Sequence, residues 1–162
     1  MLYAKIQPSP IGPLRLVSNG DALTELWLPG SFGREPVDEP DWILDAASKQ
    51  LRAYFEGTLR QFDLPLAPHG TAFQLRVWNA LMRIPYGRTM SYREIAALID
   101  APGKARAVGA ANGSNPIAII IPCHRVIGSH GELVGYGGGL NTKRWLLELE
   151  SGVVTLPLFH AG

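Results

Sequence analysis

The sequence predicts an α/β N-terminal domain of antiparallel strands plus a helix over residues 1–70. A mainly α C-terminal domain containing a helix-turn-helix follows over residues 71–162. Three observations predict this division. Short apolar runs separated by turn signals fill the first part, up to a Pro- and Gly-containing break at Leu66-Ala67-Pro68-His69-Gly70. Helical periodicity with capping boxes takes over from Thr71. The charge also changes sign: residues 1–75 carry six Lys/Arg against nine Asp/Glu, residues 76–145 nine against three, and the remainder two Glu, for a net +1. A basic second half suits a surface that meets a polyanion, or else is a chance fluctuation among solvated charges.

In order, Leu2–Ile6, Leu14–Val17 and Leu23–Leu28 read as strands. Ser9 to Pro13 form a turn between the first two, and Asn19-Gly20 is a hairpin signal because both residues tolerate positive φ. Gly30 to Asp41 is a loop. Ile43, Ala47, Leu51, Tyr54 and Phe55 make a helical stripe over Trp42–Phe55, with Gly57 suited to its C-terminal cap. Phe62–Leu66 is expected as an edge strand.

Thr71–Gln74 and Ser91–Glu94 are capping-box patterns opening two helices, the first stopped by Pro85-Tyr86-Gly87. Ala101-Pro102-Gly103 connects tightly to a further helix over about Lys104–Asn112, which gives the helix-turn-helix candidate. That helix is built from Ala105, Ala107, Gly109, Ala110 and Ala111, with Arg106 as its main large polar side chain. Its small face suits either tight packing against the next element or entry into a nucleic-acid groove. Five residues, Gly135-Tyr136-Gly137-Gly138-Gly139, form a loop that lets backbone approach something flat, or else a plain surface loop. Asn141 is expected to cap a last helix running through Leu149.

No apolar run reaches membrane-spanning length, and Met1-Leu2-Tyr3-Ala4-Lys5 is not a signal peptide. The single cysteine makes no internal disulfide and fits a reducing, cytoplasmic setting.

That cysteine lies in Ile119-Ile120-Ile121-Pro122-Cys123-His124-Arg125-Val126-Ile127. The three isoleucines read as a buried strand, and Pro122 ends its ladder so that Cys123 sits at the exit. A lone Cys is most often a small buried hydrophobe. An adjacent base and nearby positive charge instead lower a thiol's pKa and make it a nucleophile. On extended backbone Cys123 and His124 point to opposite faces, so a bridging water would carry the proton. Glu150 is either a solvated terminal charge or an inward partner that orients His124.

Together these blocks resemble the O6-alkylguanine-DNA alkyltransferases, which repair DNA by direct reversal. The resemblance runs from about Phe73 to Glu150. It is carried by Ile84–Gly87, Ser91-Tyr92, Ala105–Gly109, Asn115-Pro116, Ile121–Val126 and Gly135–Leu140, while Ser9–Leu14 resembles the family's N-terminal domain. It implies a ribonuclease-H-like first domain and a methylated-DNA–protein-cysteine S-methyltransferase that acts once per molecule, on O6-alkylguanine and on O4-alkylthymine.

The implied catalytic set is Cys123 as nucleophile, His124 and Glu150 as relay, Asn115 ordering the site and Tyr92 donating toward the base. Base flipping and DNA contact fall to Arg106, Tyr92, Ala105, Ala107, Gly109 and Arg125, on the minor groove of double-stranded DNA. The pocket is implied at Tyr136, Gly137, Gly138 and Val126, with Gly137 where some members carry a hydroxyl residue. No cofactor is implied, and no metal, since the N-terminal domain lacks the cysteines with which some relatives hold zinc. The expected state is a monomer, with cooperative assembly on DNA left open. Two rivals are a lesion-binding alkyltransferase-like protein, whose members lack the cysteine, and a thiol hydrolase, which needs an oxyanion hole.

Overall fold

The computed structural model describes residues 2–30, 41–136 and 138–152. Gly137 and most of the loop expected at Gly30–Asp41 lie outside them. Strands β1 (Tyr3–Gln7), β2 (Leu14–Ser18) and β3 (Leu23–Trp27) form an antiparallel sheet in that order. The β2–β3 turn is closed by Asn19, whose Oδ1 accepts from the backbone N–H groups of Asp21 and Ala22, both at 2.9 Å. Leu14, Leu16, Leu23 and Leu26 are fully buried from this sheet.

Helix α1 (Trp42–Phe55) covers the sheet with Ile43, Leu44, Ala47, Leu51, Tyr54 and Phe55. Asp41 caps its start by accepting from Leu44 N–H at 3.1 Å, a contact of about 1 kcal/mol. Gly57, at φ +82°, turns the chain out of it and donates to the Tyr54 carbonyl at 3.0 Å.

The edge strand expected at Phe62–Leu66 does not form as a strand: only Leu66 bridges β3, in parallel, opposite Leu23. Farther along the same edge, Leu26 bridges Ile117 in parallel, with Leu26 N–H donating to Pro116 O at 2.8 Å and Ala118 N–H to Leu26 O at 3.1 Å. The edge of the first domain's sheet therefore grips the backbone leading to Cys123, which leaves less of the edge for Phe62–Leu66 to pair with.

The second domain is helical. Helix α2 (Ala72–Leu81) and helix α3 (Tyr92–Leu98) both begin in complete capping boxes, at Thr71/Gln74 and Ser91/Glu94. Helix α4 (Ala105–Gly113) follows α3 across a short turn and packs on α2, where Trp78 Nε1 donates to Ala111 O at 2.8 Å. A short strand β4 (Met90–Ser91) runs straight into α3 and pairs in parallel with β5 (Val126–Ile127). This pairing brings the start of α3, with Tyr92, beside the cysteine segment.

Helix α5 (Leu140–Ser151) starts one residue before the expected cap. Gly139, at φ +92°, holds the N-cap position, and its carbonyl accepts the first helical bond from Lys143 N–H at 3.1 Å. Asn141 is thus inside the helix rather than its cap.

Candidate active site

The approach to Cys123 is a turn, not the strand that three isoleucines suggest. Ile120 N–H donates to Ala118 O and Cys123 N–H to Ile121 O, both at 2.8 Å, so the chain makes two three-residue turns centred on Ile119 and Pro122. Ile119 holds φ +70°, a conformation that costs a β-branched residue roughly 1–3 kcal/mol. Asn115 braces the turn from both ends: its Oδ1 accepts from Ile117 N–H at 3.0 Å and its Nδ2 donates to Ile121 O at 2.7 Å. Burial of Ile117, Ile119, Ile120 and Ile121 offsets the strain. Cys123 then opens a 3-10 turn, Cys123–Arg125, rather than a strand exit. Asn112 Nδ2 donates to its carbonyl at 3.3 Å.

Glu150 turns inward. Its Oε2 accepts from His124 Nε2 at 2.7 Å, Arg125 Nη2 at 3.0 Å and Tyr54 Oη at 2.6 Å, while Oε1 accepts from Arg125 Nε at 2.7 Å. Burial alone would raise this carboxyl, but the His124 hydrogen bond and then Arg125 outweigh it and hold the pKa at about 2. An ionised carboxylate only accepts, so Nε2 carries the imidazole proton and Nδ1 keeps its lone pair. His124 is fully buried, and its Nδ1 has no hydrogen-bond partner among the described residues. Burial pushes the His124 pKa below 6.5, so the ring is neutral at pH 7. The lasting positive charge on Glu150 is that of Arg125.

Arg125 was expected on the DNA surface; the structure places it inside. It is 7% exposed, chelates Glu150, donates from Nη1 to Ile84 O at 2.7 Å, and lies over the Tyr86 ring. A buried guanidinium requires such partners, and these leave it no free face toward DNA.

Burial pushes the Cys123 thiol pKa up, against the lowering expected from its neighbours; Asn115, Lys143 and Tyr136 pull the other way without prevailing. Lys143, which the sequence reading missed, is fully buried and donates to Val126 O at 2.6 Å and Val134 O at 2.9 Å. Its signal was available: Lys143, Leu146 and Glu150 share one helical face, and a Lys at a core position needs a reason. Tyr136 buries its hydroxyl near the sulfur, with no partner of normal geometry among the described residues. Tyr92 is half-buried and donates to Val134 O at 3.2 Å.

Val126 therefore sits in the site through its carbonyl, and Gly138 through close packing. A Cβ on Gly138 would lie 2.5 Å from Leu28 and 3.2 Å from the Tyr136 ring.

Helix α4 buries Val108, Ala111 and Asn112 and leaves Arg106, Ala107 and Ala110 exposed, with Ala105 and Gly109 partly so. The small residues therefore do not all serve close packing. Arg106 borders a groove of about 440 Å³ with Tyr92, Arg93, Gly109, Gly128 and Val134. Among the described residues no three His, Cys, Asp or Glu side chains converge as a metal site.

A strand-and-helix domain braces a buried Cys-His-Glu cluster and is joined to a helical domain with a small-faced outer helix, a two-domain arrangement built around one buried thiol. Residues 1–68 match the ribonuclease-like domain of 6-O-methylguanine DNA methyltransferase, and residues 72–152 match its DNA binding domain. The chain is 52% identical over 164 residues to the methylated-DNA–protein-cysteine methyltransferase of Mycobacterium leprae, covering 98% of each. It is 55% identical over 158 residues to that of Mycobacterium bovis, covering 93% of each. The crystal structure of Mycobacterium tuberculosis OGT in complex with DNA superposes with a TM-score of 0.89 at 53% identity, over 97% of this chain and 98% of that one. The chain belongs to the 6-O-methylguanine DNA methyltransferase family.

Proposed function

We propose that the protein performs direct-reversal repair, moving the alkyl group of O6-alkylguanine, and of O4-alkylthymine, from double-stranded DNA to Cys123. The observation that carries this reading is the buried Glu150–His124 relay, which leaves Nδ1 without a hydrogen-bond partner among the described residues, on the residue that follows the chain's single cysteine. Cys123 Sγ attacks the alkyl carbon in line, the S–C bond forms as the C–O6 bond breaks, and guanine leaves with the electron pair. The thiol proton passes through a water to Nδ1, and the imidazolium so formed is held by Glu150, as in triad logic. Because thiol and imidazole both rest neutral, the charge separates only during transfer, with Lys143 beside the nascent thiolate.

Tyr92 exchanges its Val134 bond for the base and donates to the developing anion at N3. Tyr136 shifts to lie on the base, which reaches the pocket by flipping out of the stack at a cost of about a few kcal/mol. Arg106 fills the gap from α4, in the minor groove. The remaining small residues, Ala105, Ala107 and Gly109, let that helix approach the backbone of the DNA. The protein acts as a monomer in the cytoplasm, its two working units divided near residue 70. Among the described residues no helix is long and apolar enough to cross a membrane.

The test is mass spectrometry after incubation with an O6-methylguanine duplex. One added methyl group on the Cys123 peptide, and no more than one repaired base per protein, is the expected result. Unmodified protein bound to unrepaired DNA would sink the reading in favour of lesion binding alone, and continued turnover would favour a hydrolase.

A further inference from the structure

Three donors crowd one oxygen of Glu150, and one of them comes from the other domain. Tyr54 stands in the last turn of α1, 96 residues away in sequence, and its Oη donates to Oε2 at 2.6 Å. Its ring is fully buried and wedged between Phe55, Phe62 and Tyr86, with centroids 5.3, 5.4 and 6.3 Å away. The hydroxyl is aimed by packing rather than by its own freedom.

We propose that Tyr54 is a positioning residue for the transfer reaction: the N-terminal domain uses it to fix the Glu150 carboxylate and to moderate the basicity of His124. The inference rests on the alkyl-transfer reading above.

A carboxylate oxygen offers about two in-plane lone pairs, so the Tyr54, His124 and Arg125 donors compete for Oε2. Each hydrogen bond to it withdraws negative charge from the others. Removing the Tyr54 donor leaves Glu150 a stronger acceptor for the imidazolium and makes His124 more basic. Burial, followed by the Glu150 charge, pushes the Tyr54 pKa well above 10, so the phenol stays a donor through the working range.

The other groups facing this cluster are Arg125 and Cys123 from the cysteine turn, Tyr86 from the connection after α2, Tyr136 from the glycine-rich segment and Lys143 from α5 itself. Of these groups and His124, only His124 has an ordinary value near neutrality.

The experiment compares wild type with Tyr54→Phe, which keeps the ring contacts. Transfer from free O6-benzylguanine is followed from pH 4.5 to 8, and the His124 imidazole is titrated by NMR. In the variant the His124 midpoint and the acid limb of the rate should both move up by roughly half a unit to one unit. On that limb transfer falls about three- to tenfold, and above it the two rates converge to within about twofold. Fluorotyrosine at position 54, a stronger donor, should move the midpoint down. It keeps the hydroxyl in place should the phenylalanine variant fold poorly.

Identical midpoints in all three proteins would overturn the proposal, even with a lowered Tm, because a merely structural Tyr54 shifts stability without shifting the titration. A wild type that never alkylates Cys123 overturns the transfer reading instead, while the NMR titration still reports whether Tyr54 acts on His124.

Discussion

Glu150 and Arg106 are charges on two helices of the same domain, and the fold treats them oppositely. The Glu150 side chain is 1% exposed and is met by donors from Tyr54, His124 and Arg125. Arg106 stands exposed on the first turn of α4, with no hydrogen bond or ion pair among the described residues. A buried charge is tolerated only when paired, so Glu150 is bound into the stability of the fold and, on the proposed reading, into its chemistry. An exposed and unpaired guanidinium contributes little to the fold and stays free to meet a partner. On the proposed function the difference separates reaction from recognition, and substitutions should sort the same way.

The largest expected effect lies at the sulfur. Cys123→Ser should leave the fold within about 1 kcal/mol, since a small buried group replaces another, and should abolish transfer. Mass spectrometry with methylated duplex checks it; any alkylated serine variant breaks the assignment.

Next comes Glu150→Gln. Removing the charge leaves Arg125 buried without its counterion, a loss of about 3–5 kcal/mol measurable by urea unfolding. Transfer should slow by about a hundredfold or more, while duplex affinity stays within about threefold. Equal losses of rate and affinity would mean that the cluster supports the DNA surface as well, and the comparison would fail.

Acid should reveal the same cluster. The Glu150 pKa lies at about 2 in the folded chain against an ordinary 4.5, so the unfolded chain takes up that proton first. The stability this carboxylate contributes is complete above about pH 4.5 and is lost as the pH falls toward 2. His124 is also depressed, below 6.5, by burial; it too is protonated first in the unfolded chain, so its loss begins below pH 6.5. Both signs agree, and stability should fall on acidification, by up to about 3 kcal/mol for Glu150. Urea midpoints at pH 7, 5.5, 4 and 3 measure it, and Glu150→Gln should flatten the part of the curve below about pH 4.5.

What the sequence made legible follows the same physical divide. The caps at Thr71 and Ser91 and the glycine end of α1 are local, each decided within a few residues, and they appear as expected. The turn before Cys123 is not local. β-branched propensity favours a strand at Ile119–Ile121, but the edge of β3 holds Ile117, and Asn115 pins both ends of the turn into a positive-φ conformation. Tyr54 gave no signal as more than a core aromatic, because its partner is in the other domain. Arg125 was legible as chemically important and misplaced in direction, since the motif shows its charge but not the carboxylate that claims it.

Arg106 carries the smallest effect and the sharpest test. On the proposed reading the exposed cations of residues 76–145, which exclude the buried Arg125 and Lys143, supply several phosphate contacts. Duplex affinity should therefore fall linearly with log salt, and Arg106→Ala should lower that slope by only about one contact. If Arg106 fills the vacated position in the stack, as proposed, that position then has no occupant in duplex DNA and repair should slow by about tenfold. Free O6-benzylguanine needs no extrusion, and its reaction with Cys123 should stay within about twofold of wild type. The two rates, taken on one variant, separate the exposed charge from the buried cluster. A variant slowed equally on both substrates would place Arg106 among the groups that shape the pocket, and the division between α4's outer face and the Glu150 cluster would not stand.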